Sequence, residues 1–90
     1  MRKVNQFKII RKPEVIKRLG LSKSTLSNRI NQGVFPRPIS LGERAVGWLE
    51  HEVDIVLAAM SVGNSKTKMK ALVKQLIKQR KELSGIPHHF

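Results

Sequence analysis

The sequence predicts a mainly α domain with a small β-hairpin wing, a winged helix-turn-helix, on three observations. Two short helical patterns meet at a turn of Gly20, Leu21 and Ser22; a stretch punctuated by Gly and Pro follows; and basic side chains gather at both ends of the chain. Ninety residues suffice for one small core. Residues 1–64 are expected to form the winged domain, 65–84 a basic amphipathic C-terminal helix of the same unit, and 85–90 a flexible tail.

Residues 1–11 scatter cations among Val4, Phe7, Ile9 and Ile10. This predicts a short extended segment that lays Phe7 and Ile9 on the core behind a loose start. Pro13 suits a first helical position, because its missing N–H is one of the donors a helix start leaves unpaired anyway. Val15, Ile16 and Leu19 share one face of that helix, and Gly20 ends it. Ser22 caps the second helix through the amides two or three residues on, with Leu21 set to pack on Leu26 as a hydrophobic staple. Leu26 and Ile30 point back to the first helix, which leaves Lys23, Ser24, Thr25, Ser27, Asn28 and Arg29 around the remaining face. Gly33 supplies the stop.

Pro36 and Pro38 rule out helix, whereas Ile39, Leu41, Val46 and Trp48 favour strands. Residues 39–41 and 45–48 are read as an antiparallel hairpin about Gly42, Glu43 and Arg44. Trp48, the one tryptophan, is expected to anchor the core between wing and third helix. That helix starts at Glu50, with Glu50 and Glu52 near its positive end and Val53, Val56, Leu57 and Met60 as its buried stripe. Gly63, Asn64 and Ser65 break the pattern and cap a fourth helix of residues 66–83. Met69, Leu72, Val73, Leu76 and Leu83 share a face of it, with Ile77 at the margin and Arg80 interrupting. Lys70, Lys74, Lys78 and Lys81 form a row beside that face.

Eighteen Lys and Arg against six Asp and Glu give a net charge of +12. Residues 1–20 carry seven basic and one acidic side chain, residues 21–64 four of each, and residues 65–90 seven and one. A neutral middle able to form a core is thus flanked by two positive ends suited to embrace a polyanion. Cysteine is absent, so disulfides and thiolate metal sites are excluded, and the apolar runs are too short to span a bilayer. With no secretory leader pattern, a cytoplasmic protein is expected. Three histidines, two of them the adjacent His88 and His89, and six carboxylates, four of them clustered in residues 43–54, suggest no nucleophile, base and orienter. No enzyme activity, cofactor or metal is expected.

The polar face of the second helix carries the functional reading. Lys23 and Arg29 can donate to guanine edges, Asn28 can pair with adenine, and Ser22, Ser24, Thr25 and Ser27 can reach bases or phosphates of double-stranded DNA. Arg37 and Arg44 of the wing would meet the backbone or minor groove, and Lys12, Lys70, Lys74, Lys78 and Lys81 the backbone. RNA binding is the competing reading, opposed by a sequence with only Phe7, Phe35, Trp48 and Phe90 as aromatics. A basic protein-interaction or membrane-surface module built on the fourth helix is another.

Residues 11 to about 60 closely resemble the AlpA-type regulators encoded by prophages and genomic islands. The motifs that carry the likeness are L-S-K-S-T at 21–25, G-x-F-P-x-P at 33–38 and L-G-x-R-A-V-G-W at 41–48. The resemblance implies a MerR-like winged helix-turn-helix with no catalytic activity, bacterial or phage-encoded. It implies a role as a transcriptional regulator of an integrase or as an excisionase, with DNA, an integrase and neighbouring copies of itself as partners. The family usually has an aromatic residue and often Arg after S-T-L, where this chain has Ser27 and Asn28, and often a second tryptophan where this chain has Val56.

Overall fold

The computed structural model describes residues 8–84, in the order β1 (Ile9–Ile10), α1 (Lys12–Leu19), α2 (Lys23–Asn31), β2 (Ile39–Gly42), β3 (Ala45–Leu49), α3 (Glu50–Ser61) and α4 (Lys66–Ser84). The expectations for the chain start, for Phe7, for the Leu83 side chain and for residues 85–90 lie outside the described residues. The fold is a mainly helical winged helix-turn-helix with a small antiparallel sheet.

Helix α1 starts one residue before Pro13, on an extended Arg11 whose carbonyl accepts from Val15 N–H at 3.1 Å. Gly20 closes it in the left-handed region, φ 68°, where a side chain would be strained. Ser22 Oγ then caps α2 by accepting from Thr25 N–H at 3.1 Å. At the far end Val34 N–H returns to Arg29 O and Gly33 N–H to Ile30 O, each at 3.0 Å, the paired closure that a glycine after the C-cap permits. This reversal carries Val34 and Phe35 straight into the core.

In the sheet β3 is central, with β1 and β2 each antiparallel to it. Ile10 lies opposite Trp48 and is 5% exposed, whereas Ile9 is 36% exposed. The expectation that Ile9 lies on the core is therefore corrected by one residue. Successive strand residues face opposite ways, so pairing Ile10 with the buried Trp48 turns Ile9 outward. Gly47 shows why the wing motif needs its second glycine: a Cβ there would lie 2.6 Å from Ile9 Cγ2 and 3.0 Å from Ile10 O. Gly47→Ala is expected to force β1 away and cost about 1–3 kcal/mol, read as a lower urea midpoint at an unchanged slope.

The core gathers Val15, Leu26, Phe35, Trp48, Val53 and Val56 from every layer, with Met69 and Leu76 of α4. Val56, the residue of the third helix at which the sequence departs from the resemblance, is fully enclosed. Trp48 meets Phe35 edge to face at 6.1 Å and donates Nε1–H to Pro36 O at 2.8 Å. Among the described residues no helix is long and apolar enough to cross a membrane.

Arg80, which breaks the apolar face of α4, is part of the core's polar seam. Its Nη2 lies 2.6 Å from Glu52 Oε1 and its Nε 2.8 Å from Glu52 Oε2, while Nη2 also donates to Arg37 O at 2.9 Å. Glu52 is 1% exposed, so its role goes beyond the helix-start acid that the sequence suggested. One guanidinium thereby ties α4 to the start of α3 and to the chain entering the wing.

Candidate nucleic-acid interface

Charge is sorted by two arginines. Arg18 holds Glu14, Glu50 and Asp54 at 2.9, 2.7 and 3.3 Å, and Arg80 holds Glu52, so four of the six carboxylates are absorbed by ion pairs. The hydrogen bond from Arg18 keeps the Glu14 carboxyl below its ordinary value. A depressed carboxylate pKa means that this pairing contributes fully at neutral pH and is lost only as pH falls through the lowered value. The acidic patch lies where α1 meets the start of α3. Glu43 is separate from it, exposed at the hairpin turn beside Arg44.

Helix α2 is oriented by Leu26, fully buried, and Ile30, packed beside it on the same cluster as Ile16 and Leu19 of α1. Lys23, Ser24, Ser27 and Asn28 are exposed as expected. Asn31, not singled out from the sequence, is exposed as well and completes an outward row with Ser24, Ser27 and Asn28 at helical spacing. That i, i+3, i+4, i+7 pattern of small polar side chains was the signal available for it.

Ser22, Thr25 and Arg29 stand differently. Ser22 is exposed, but its hydroxyl is committed to the cap and donates to Thr25 Oγ1 at 3.0 Å. Thr25 is half-buried. Arg29 was expected opposite Leu26 and Ile30 with Asn28, and its placement corrects that. It is half-buried, its Nε is shut off from solvent without a hydrogen-bond partner, and it lines a recess with Gln32, Val34, Met60, Asn64, Lys66 and Met69. Three residues after Leu26, its side chain starts beside the apolar face rather than across from it.

The two arginines assigned to the wing separate. Arg44 is exposed at the hairpin turn with φ 60°, the one non-glycine residue described in the left-handed region, a conformation costing roughly 1–2 kcal/mol that concentrates at functional positions. Arg37 is exposed ahead of β2 and lines a groove with the end of α2 and with Lys70, Lys74, Lys78 and Lys81 of α4. All four lysines are exposed, as is Lys12 in the first turn of α1. Arg11, unassigned from the sequence, donates Nε–H to Val46 O at 3.0 Å and so braces α1 against the wing. Among the described residues no group of three or more His, Cys, Asp or Glu is arranged to hold a metal ion.

A family described as prophage CP4-57 regulatory protein (AlpA) matches residues 8–56. The chain is 38% identical over 63 residues to the uncharacterized protein ORF88 of Enterobacteria phage P4, covering 70% of this chain and 72% of that one. It is 34% identical over 53 residues to the DNA-binding transcriptional activator AlpA of Escherichia coli (strain K12), covering 52% of this chain and 76% of that one. No solved structure matches significantly. With the family match running through β1, the helix-turn-helix, the wing and the first half of α3, the chain belongs to the AlpA family of prophage regulatory proteins.

Proposed function

We propose that this protein binds double-stranded DNA sequence-specifically for an integrated mobile element, acting as an excisionase or as a transcriptional regulator of the integrase, or as both. One observation carries the reading: a side-chain-capped α2, held on the core through Leu26 and Ile30, presents Ser24, Ser27, Asn28 and Asn31 outward with Lys23 at its first turn. The named function of the K12 relative supports it. The protein has no chemistry of its own in this reading. It occupies a promoter, or bends and bridges the arms of an attachment site so that an integrase assembles the excisive complex. Its partners are duplex DNA, the integrase and neighbouring copies of itself, and its place is the cytoplasm.

In this arrangement the first turns of α2 enter the major groove, where Asn28 can bond adenine through N6 and N7 and Lys23 can donate to guanine. Lys12 lies along the backbone. Asn28→Ala is expected to relax discrimination at one or two base pairs at a cost of about 1–3 kcal/mol, with non-specific affinity little changed. Arg29→Ala is expected to do less to discrimination, since Arg29 reaches a duplex only by leaving its recess. A binding series over all single-base variants of the preferred site, with unaltered preference at every position, contradicts the assignment of Asn28.

Arg44 follows Glu43 in the tight turn of the wing and is held outward by its own backbone. Arg44→Ala is expected to weaken binding to all sequences alike and to lower the salt slope by about one unit, as the loss of one phosphate contact does. Competition between duplex DNA and single-stranded RNA separates the DNA reading from the RNA one.

A further inference from the structure

A groove of about 670 Å3 runs between α4 and the end of α2. Its walls are of two kinds. The half-buried Ile30 and Ile77 give it apolar surface over a floor of the buried Phe35 and Val73, and Arg37, Lys70, Lys74, Lys78 and Lys81 line it with cations. The sequence reading set those lysines against DNA phosphates, but a sugar-phosphate backbone gains from cations and N–H donors and has no use for the half-buried isoleucines, Ile30 and Ile77, between them. An apolar surface rimmed by one sign of charge suits a chain that carries apolar side chains and the opposite charge.

We propose that this groove receives an acidic amphipathic segment of a partner protein, whose apolar side chains descend onto Ile30 and Ile77 and whose carboxylates meet Arg37, Lys70, Lys74 and Lys78. The groove is preformed. Arg80 fixes the Arg37 carbonyl at 2.9 Å and is itself held by the buried Glu52, so the α4 wall and the chain entering the wing stay in register without a ligand. Along α4 Lys70, Lys74 and Lys78 step four residues at a time, about 6 Å per step, which repeats like charge along one edge and favours an anionic counterpart.

A second copy of this chain does not fit. Four of its six carboxylates are held by Arg18 and Arg80. Glu43, beside Arg44, and Glu82, one residue after Lys81, are the other two, and residues 1–7 and 85–90 contain no Asp or Glu. The acidic counterpart therefore comes from a different protein.

The test uses the full chain and a fluorescein-labelled peptide of about ten residues alternating Leu and Glu, enough to follow the roughly 16 Å from Lys70 to Lys81. A peptide with Lys in place of Glu and a short duplex of arbitrary sequence are the controls. Fluorescence anisotropy is expected to show saturable binding of the acidic peptide but not of the basic one. The double substitution Lys74→Gln, Lys78→Gln, on exposed positions that leave the fold intact, is expected to weaken peptide binding by about tenfold. Ile77→Ser, with folding checked by circular dichroism, is expected to weaken the peptide severalfold while leaving duplex affinity unchanged. Amide shifts on adding peptide are expected at Gly33, Val73 and Ile77 and not at Ser24 or Asn28. Absence of saturable peptide binding overturns the proposal. So does a result in which the lysine substitutions weaken the duplex and flatten its salt dependence without affecting the peptide, which assigns the row to DNA.

Discussion

Glu52→Ala is expected to destabilise the protein by about 3–5 kcal/mol, because it leaves the Arg80 guanidinium half-enclosed with its counter-charge gone. A domain of this size is stable by roughly 5–15 kcal/mol in total, so the loss is a large share. The reason lies in burial: Glu52 is 1% exposed and takes both of its carboxylate oxygens to Arg80, so the carboxylate has no solvent to fall back on and the guanidinium little. Arg80→Ala is expected to cost a similar amount and to free the Arg37 carbonyl as well. Replacing both, Glu52→Leu with Arg80→Met, is expected to recover most of the stability, since a buried pair exchanged for apolar groups of similar volume is often neutral or better. Urea denaturation of the two single variants and the double variant measures all three. Additive losses in the double variant contradict the pairing.

Trp48→Ala is expected to cost about 3–5 kcal/mol, the range for emptying a large aromatic from a packed core. Trp48 is wholly enclosed, pairs with Ile10 across the sheet, meets Phe35 edge to face and is the donor to Pro36 O. Trp48→Phe separates volume from hydrogen bonding. It keeps an aromatic ring in the site but leaves the buried Pro36 carbonyl without its donor, for which about 1–3 kcal/mol is expected. Equal losses for the two variants would show that the hydrogen bond, not the packing, holds wing and G-x-F-P segment together.

The local stop and start signals were legible because they are local. Gly20, Ser22, Gly33 and Ser65 act through bonds to residues a few positions away, and each closes or opens its helix as its chemistry requires. Trp48 as core anchor was legible too, since its size leaves few other places for it. What the sequence did not disclose depends on partners distant along the chain. Ile9 and Ile10 differ only in which pairs with Trp48, 38 positions on, and that register decides which side chain is buried. Arg80 read as a break in an apolar stripe because Glu52, 28 residues earlier, is not visible as its partner in one dimension. Arg29 read as outward although its spacing of three from Leu26 already set it beside the apolar face; the recess formed by Met60, Lys66 and Met69 that receives it comes from residues distant along the chain. Asn31 was not singled out, although its spacing from Ser24, Ser27 and Asn28 already put it on their face.

The claim that α2 reads duplex DNA from the major groove is tested most directly by an atom-replacement scan. A duplex selected by this protein from a random pool is resynthesised with 7-deazaadenine or 7-deazaguanine at one position at a time. This removes a single major-groove acceptor and leaves base pairing and the minor groove intact. The expected result is a run of about three to four base pairs at which affinity falls by roughly 1–3 kcal/mol per replaced atom, with the strongest adenine position losing its sensitivity in Asn28→Ala. Affinity indifferent to deaza replacement at every position would contradict the account, because a recognition helix in the major groove cannot ignore every N7 it faces.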